Sequence, residues 1–233
     1  MKLRTIILAG GALLLQANAH AATLVPASYD MPNGSGQAHG GQFNYWDGGY
    51  TGTGSTTVDH APLSGGLGAL TDGVVTPQNW QSVSNDLGTG PYVGWRPDAM
   101  AAPPTVVFHF AQNVDVDDII VHADDSDLLG GVLPPATIRV QAGAFDSTLV
   151  VPEHAGSEPY FIDLGALFGG GLGLNGVDTV SLTFTHREPA AWVFIDEVTF
   201  SGQVSAVPLP GSLALLSGAL PLVARLRRRG ARD

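Results

Sequence analysis

Between residues 105 and 200 the chain writes the same short pattern again and again. An apolar run of period two is followed by a turn of Gly, Pro or acidic residues. In Val180 to Thr185, Val180, Leu182 and Phe184 face one way while Ser181, Thr183 and Thr185 face the other. That alternation is the mark of a half-buried antiparallel strand. Thr105–Phe110, entered through Pro103-Pro104, reads as a second strand, and Asp118–His122 as a third after an acidic turn. Ala136–Val140, Tyr160–Leu164 and Trp192–Phe200 complete the series. Strands so spaced, with no helical period of useful length between them, predict an all-β antiparallel sandwich.

Composition agrees. The chain has 233 residues with 31 Gly, 16 Pro and no Cys, and 44% of its residues are hydrophobic. That is enough apolar material for a core. The missing cysteines exclude disulfides, thiolate metal sites and a thiol nucleophile. Charge is segregated. Lys2 and Arg4 open the chain, and Arg225, Arg227, Arg228, Arg229 and Arg232 close it. Between them only Arg96, Arg139 and Arg187 stand against 20 acids. So negative a surface repels phosphate backbones, which excludes nucleic acid as a partner, and it suits hard divalent cations.

The basic ends read as address labels. Residues 1–21 have the form of a secretory signal peptide. Lys2 and Arg4 precede the apolar Ile6–Leu15, and Ala17-Asn18-Ala19 and Ala19-His20-Ala21 both offer a small-x-small cleavage site. At the other end Val207-Pro208-Leu209-Pro210 precedes an apolar stretch, Leu213–Ala224, and the cluster Arg227, Arg228 and Arg229. Those arginines stay cytoplasmic under the positive-inside rule, which places the middle of the chain outside the inner membrane. This three-part tail, over residues 204–233, resembles the PEP-CTERM sorting signal of Gram-negative bacteria. Leu209 stands where that family usually has Glu. The resemblance implies an exosortase partner, transient membrane insertion through a C-terminal hydrophobic helix, cleavage near Pro208–Pro210, and release to the cell surface or extracellular matrix.

Residues 22–203 then form the domain. Within it, Leu70-Thr71-Asp72-Gly73 and Phe194-Ile195-Asp196-Glu197-Val198, together with Val93-Gly94-Trp95, resemble the galactose-binding-like jelly roll of discoidin and several carbohydrate-binding modules. The resemblance implies a structural calcium held by the Asp72 side chain, the Gly73 carbonyl and Glu197 from the last strand. Calcium needs 6–8 oxygens, and tying a long loop to that strand supplies rigidity.

The aromatic set Tyr45, Trp46, Tyr50, Trp80, Tyr92 and Trp95 lies in a long Gly-rich region. Aromatic faces stack on the C–H faces of sugars, so Trp80, Tyr92 and Trp95 are candidate ligand-binding residues, with core packing as the alternative for each. Catalysis has little to stand on. There is no Gly-x-Ser-x-Gly elbow and no His-Glu-x-x-His. Asp196 and Glu197 are adjacent on a strand, and strict alternation sends them to opposite faces. His109 and His122 fall on two strands that are candidates to pair. The expectation is an exported, non-catalytic surface or matrix protein that associates with exopolysaccharide. A purely structural surface protein and a glycan-active enzyme are the alternatives.

Overall fold

The computed structural model describes residues 21–36, 43–83, 88 and 90–206. The expected leader and the tail with its sorting motif, Val207 to Pro210 and Arg227 to Arg229, lie outside these residues. Among the described residues no helix is long and apolar enough to cross a membrane.

Among the described residues, ten antiparallel strands make up the domain. They are β1 (Ala22–Leu24), β2 (Ser28–Pro32), β3 (Pro62–Gly66), β4 (Val93–Trp95), β5 (Thr105–Ala123), β6 (Thr137–Ala142), β7 (Phe145–Val150), β8 (Tyr160–Asp163), β9 (Leu174–Thr185) and β10 (Val193–Val204). The backbone order runs β1-β10-β5-β9-β6-β7, with β2 and β8 also pairing with β5, β4 with β10, and β3 with β2.

The organising element is β5, 19 residues long. Two expected strands, 105–110 and 118–122, are halves of it, because the segment between them holds no Gly or Pro and stays extended. Its first half pairs with β2 and β9, and its second half with β10 and β8. One strand thus belongs to both layers, and the layers close on a shared core where Phe108 and Phe110 meet the Phe200 ring at 4.9 and 5.3 Å. His109 and His122 therefore lie on one strand and do not pair. His109 Nε2 bonds Asp30 Oδ2 at 2.9 Å, and His122 packs edge-on against Phe161.

Bulges decide which side chains enter the core. Ser201 pairs with Asp118 but Gly202 with Val116, so Asp117 is an extra residue. The buried phase of β5 shifts there, from Val114 and Val116 to Ile119 and Val121. A short helix, Leu164–Phe168, interrupts the β pattern. Asp163 caps it by accepting from the Ala166 amide at 2.6 Å, and Gly169 ends it at φ 102°.

A second, smaller apolar cluster covers the opposite side of β10. Tyr45, Tyr92, Val132, Trp192 and Phe194 form it, with Phe43 and Trp80 packed against it. This cluster carries the candidate site.

Candidate functional site

The first half of β10 is buried on both faces. Val193 and Ile195 belong to the main core, and Phe194 belongs to the second cluster. Ile195 pairs with Ala123, but Glu197 pairs with His122, which leaves Asp196 as the extra residue of a bulge. The bulge breaks strict alternation, so Asp196 and Glu197 do not part to opposite faces. Both carboxylates accept bonds from one segment of chain. The Gly73 amide donates to Glu197 Oε2 at 3.1 Å, and the Thr76 amide donates to Asp196 Oδ2 at 2.6 Å.

The same segment continues to a third carboxylate. The Trp80 amide faces Asp124 Oδ2 at 3.4 Å, and Ser126 Oγ donates to that oxygen at 2.9 Å. Asn79 Nδ2 donates to the carbonyls of Asp125 and Ser157, and the Tyr92 hydroxyl donates to the Gln78 carbonyl at 2.6 Å. Residues 73–80 thus form a strap across the outer face of the sheet, fastened by Glu197, Asp196 and Asp124.

These three acids are deeply buried, at 4%, 2% and 0% exposure in that order. Burial disfavours the charged form and is the main cause of their raised pKa values. Asp124 is pushed up to about 6, and Asp196 and Glu197 each to about 7. Repulsion among neighbours adds to this: Asp72 acts on both Asp196 and Glu197, and Asp124 acts on Asp196. The amide bonds pull the other way without winning. Asp124 Oδ1 and Asp196 Oδ1 are buried with no hydrogen-bond partner among the described residues.

The sequence-derived metal residues come together here. Asp72 and Gly73 form the turn that opens the strap, and Glu197 receives the Gly73 amide. Asp72 itself is exposed, and its Oδ1 accepts from the Val74 amide at 2.8 Å. Among the described residues, no three His, Cys, Asp or Glu side chains converge tightly enough to hold a metal. The side-chain oxygens at this turn are hard donors in kind: Asp72, Glu197 and the unpartnered Asp196 Oδ1. Beside it lies a cavity of about 520 Å³ lined by Asp47, Asp72, Val74, Val75 and Thr76 among others.

At the far end of the strap, Trp80 forms one wall of a second cavity of about 350 Å³. Phe43, Tyr45, Trp192, Phe194 and Arg96 complete it, with Gly130 and Val132. Trp80 is half-buried, and its indole N–H donates to the Leu129 carbonyl at 3.3 Å. The Arg96 guanidinium lies 5.6 Å from the centre of the Trp192 ring. Gly130 is required by contact and conformation alike. Its φ is +69°, and a Cβ there would fall 2.4 Å from the Trp80 ring. Gly130→Ala is expected to displace Trp80 and change its fluorescence, with little effect on the main core.

The three aromatic candidates separate on burial. Trp95 is 0% exposed, stacks with Phe184 at 6.1 Å and donates its indole N–H to the Pro32 carbonyl. Tyr92 is 1% exposed and packs on Phe194. Neither presents a face to a ligand, which corrects the expectation for both. They are large apolar groups in a small domain, and the core took them. Of the three, Trp80 alone lines an open cavity. Arg96, Phe43 and Trp192 joined it unannounced, as did Asp124 and Asp196 beneath the strap. One signal for the acids was the run Asp124-Asp125 at the end of an apolar strand. The cavity itself is assembled from five separate stretches of chain and leaves no local signature.

Asp125 Oδ1 accepts from the Asp127 amide at 3.0 Å, and its Oδ2 holds His154 Nδ1 at 2.9 Å.

Residues 26–127 match the family model for the DS-like domain of discoidin domain-containing receptor 1/2. The resemblance there is to a discoidin domain. It spans β2 to β5 and the strap, and it stops before β10 and Glu197. No protein with a curated description matches the chain. Among solved structures, the F5/8 type C domain of a Bacteroides fragilis protein is 10% identical, covers 79% of this chain and 97% of its own, and has a TM-score of 0.41. The family 32 CBM from C. perfringens NanJ, in complex with galactose, is 9% identical over 77% and 98% of the two chains, at a TM-score of 0.39. An f-lectin (fucolectin) from striped bass, Morone saxatilis, is 11% identical over 79% and 80%, at 0.35.

Proposed function

We propose that this is an exported, non-catalytic carbohydrate-binding protein that takes extracellular polysaccharide into the cavity walled by Trp80, Phe43, Tyr45 and Trp192. The observation that carries the reading is that cavity's composition. It joins several aromatic faces to one guanidinium in a volume of about 350 Å³, within the usual range of small-ligand sites. A pyranose offers C–H faces to the rings and hydroxyls to Arg96. The discoidin match over residues 26–127 is in keeping with the galactose-binding-like resemblance of the sequence.

Calcium at Asp72, the Gly73 carbonyl and Glu197 belongs to the same reading. Bound there, it supplies positive charge to a cluster of buried, mutually repelling carboxylates. The chain's part is to offer Asp72 and Glu197 from two distant segments and to keep the strap between them. Thermal melts check it: calcium raises the melting temperature and a chelator lowers it, because a ligand held only by the folded state stabilises that state. Asp72→Ala is expected to abolish the response.

The sorting reading gives the cavity a direction relative to the tail. The cavity sits at the start of β10, at Trp192 and Phe194, and the tail departs after Val204 at its other end. Eleven residue steps of extended chain separate them, roughly 35 Å. A domain held at the inner membrane by its tail, or released by an exosortase, carries its cavity at the pole away from the attachment. Intact-mass measurement of the native protein is expected to show loss of residues 1–21 and of the chain beyond Pro208–Pro210. A mass retaining the tail would make it a permanent anchor.

The bulge does bring two carboxylates to one side, as a glycosidase requires. Both are bonded to strap amides and more than nine-tenths buried, so neither meets a substrate. The deciding experiment is a glycan array probed with the mature protein, with Trp80→Ala and Arg96→Ala as controls. Binding that both variants lose supports the cavity. A uniformly blank array leaves a purely structural surface protein.

A further inference from the structure

Among the described residues the domain holds three fixed cations, Arg96, Arg139 and Arg187. Two of them are engaged. The Arg139 guanidinium makes paired bonds to Asp146, and Arg187 donates to the carbonyls of Pro135, Val151 and Pro152. Arg96 is different. Its Nη2 meets Asp98 Oδ2 at 2.7 Å, and Asp98 is an exposed residue two positions along the chain. Whichever Nη2 proton Asp98 takes, one two-donor fork of the guanidinium stays open. The pairing of β4 with β10 sets its place. Trp95 lies opposite Val193, so the next step brings Arg96 beside Trp192, with the guanidinium 5.6 Å from the ring centre. The Arg96 amide donates to Ser35 Oγ at 3.1 Å, which fixes the root of the side chain. We propose that the aromatic cavity selects acidic sugars: a uronic-acid ring stacks on Trp80, and its carboxylate takes the open fork of the Arg96 guanidinium. This deepens the carbohydrate reading above and rests on it.

Charge argues for an acidic sugar over a neutral one. Apart from Arg96, every residue lining the cavity is uncharged. On so acidic a domain that is a local reversal of sign. Charges more than about 8 Å apart are largely screened at physiological salt, so an anion at the cavity feels Arg96 above the distant acids. Asp124 lies close enough to act on Tyr45, but it is fully buried, accepts from Ser126 and does not line the cavity. An amino sugar meets the reverse: a guanidinium and no carboxylate. Shape argues the same way. A guanidinium fork matches the two oxygens of a carboxylate, which a single hydroxyl cannot do. In a uronic acid the carboxylate projects from the rim of the ring. The C–H face stays free for Trp80 while the acid reaches sideways to Arg96. Asp98 is the built-in competitor, since it shares Nη2 and lowers the charge that a ligand meets. Both partners of that pair are exposed, so an incoming carboxylate displaces or shares it at small cost.

The test is made on the mature protein with short oligosaccharides in matched pairs. Oligogalacturonate, oligoguluronate and oligoglucuronate are each compared with a neutral counterpart made by reducing the carboxylates to primary alcohols. Calorimetry in one buffer gives the Kd of both members. In at least one pair the acidic member is expected to bind about tenfold tighter, the difference between a charge-assisted and a neutral hydrogen bond. That preference is expected to shrink as salt is raised. Arg96→Gln is expected to abolish the preference. Asp98→Asn, which removes the competing carboxylate, is expected to tighten the acidic member about threefold. Neutral members that bind as tightly as their acidic partners would overturn the proposal, and so would a preference that survives Arg96→Gln. If Arg96→Gln does not fold, the wild-type salt dependence and Asp98→Asn decide. A preference indifferent to salt, or an Asp98→Asn variant that binds the acid no better, then overturns it. A neutral glycan bound on the array, with none of the acidic oligosaccharides bound, removes the acidic selection and leaves the carbohydrate reading standing. A blank array with no pair bound removes both.

Discussion

In the presence of a chelator, the domain is expected to melt at a higher temperature at pH 5 than at pH 8. Asp124, Asp196 and Glu197 carry folded-state values of about 6, 7 and 7, against ordinary values of 3.8, 3.8 and 4.5. Between about pH 4 and pH 7 the folded chain therefore holds more protons than the unfolded chain. Stability is fully present below the ordinary values and is lost as the pH rises through the folded ones. Each tenfold change in a proton's binding constant on folding corresponds to about 1.4 kcal/mol, so a single such group costs roughly 3 kcal/mol at neutral pH. The three feel one another, so their joint cost is less than the sum, yet still several kcal/mol. For a domain of this size that is on the order of 10 °C in melting temperature. His122 opposes the trend, since burial lowers its pKa and protonating it below that value costs stability. It is one group against five, because burial raises Asp47 and Asp118 as well. Asp30, Asp115 and Asp146 have lowered values, and their window lies below pH 4. Calcium at pH 8 is expected to restore what deprotonation removed, and Asp196→Asn to raise the melting temperature in chelator and flatten its pH dependence. A melting temperature that climbs from pH 5 to pH 8 in chelator would refute the account.

What the chain reveals before folding is its period. Val180–Thr185 shows its alternation openly, and β9 contains it unchanged. The Asp72-Gly73 turn and Glu197 lie more than a hundred residues apart, and a resemblance, not spacing, pairs them. The bulge at Asp196 was invisible, because one inserted residue in a ladder depends on the partner strand and leaves no mark in the strand's own sequence. That single residue reversed the expectation for Asp196 and Glu197. The continuity of β5 was hidden for a related reason. Gln112-Asn113-Val114-Asp115 is polar enough to read as a turn, and the pairing of Val114 with both β9 and β10 carries the strand through it. The aromatic residues posed a harder problem. Trp80 and Trp95 sit in similar Gly-rich surroundings, and burial is a property of the whole assembly.

Those two tryptophans give the sharpest contrast to measure. Trp95→Ala is expected to cost about 3–5 kcal/mol, as removal of a large buried ring does. Its ring stacks on Phe184, its indole N–H satisfies the Pro32 carbonyl, and it lies in β4 directly opposite Val193. The alanine leaves a cavity and takes from the part-buried Pro32 carbonyl its indole donor. The melting temperature then falls by on the order of 10 °C, and any loss of glycan binding follows the loss of folded protein. Trp80→Ala is expected to behave in the reverse way. It is half-buried, its indole bond is a long one to a loop carbonyl, and its strap is fastened by backbone amides that the substitution leaves in place. Stability then drops by about 1–2 kcal/mol at most, the loss of one partly packed ring and one weak bond. Ligand affinity falls by about thirtyfold or more, the usual effect of truncating an aromatic that anchors a ligand. Melting curves and binding isotherms on the two variants separate the roles. Equal losses of stability would mean that Trp80 is core, and the cavity would then lack the wall on which a sugar is expected to stack.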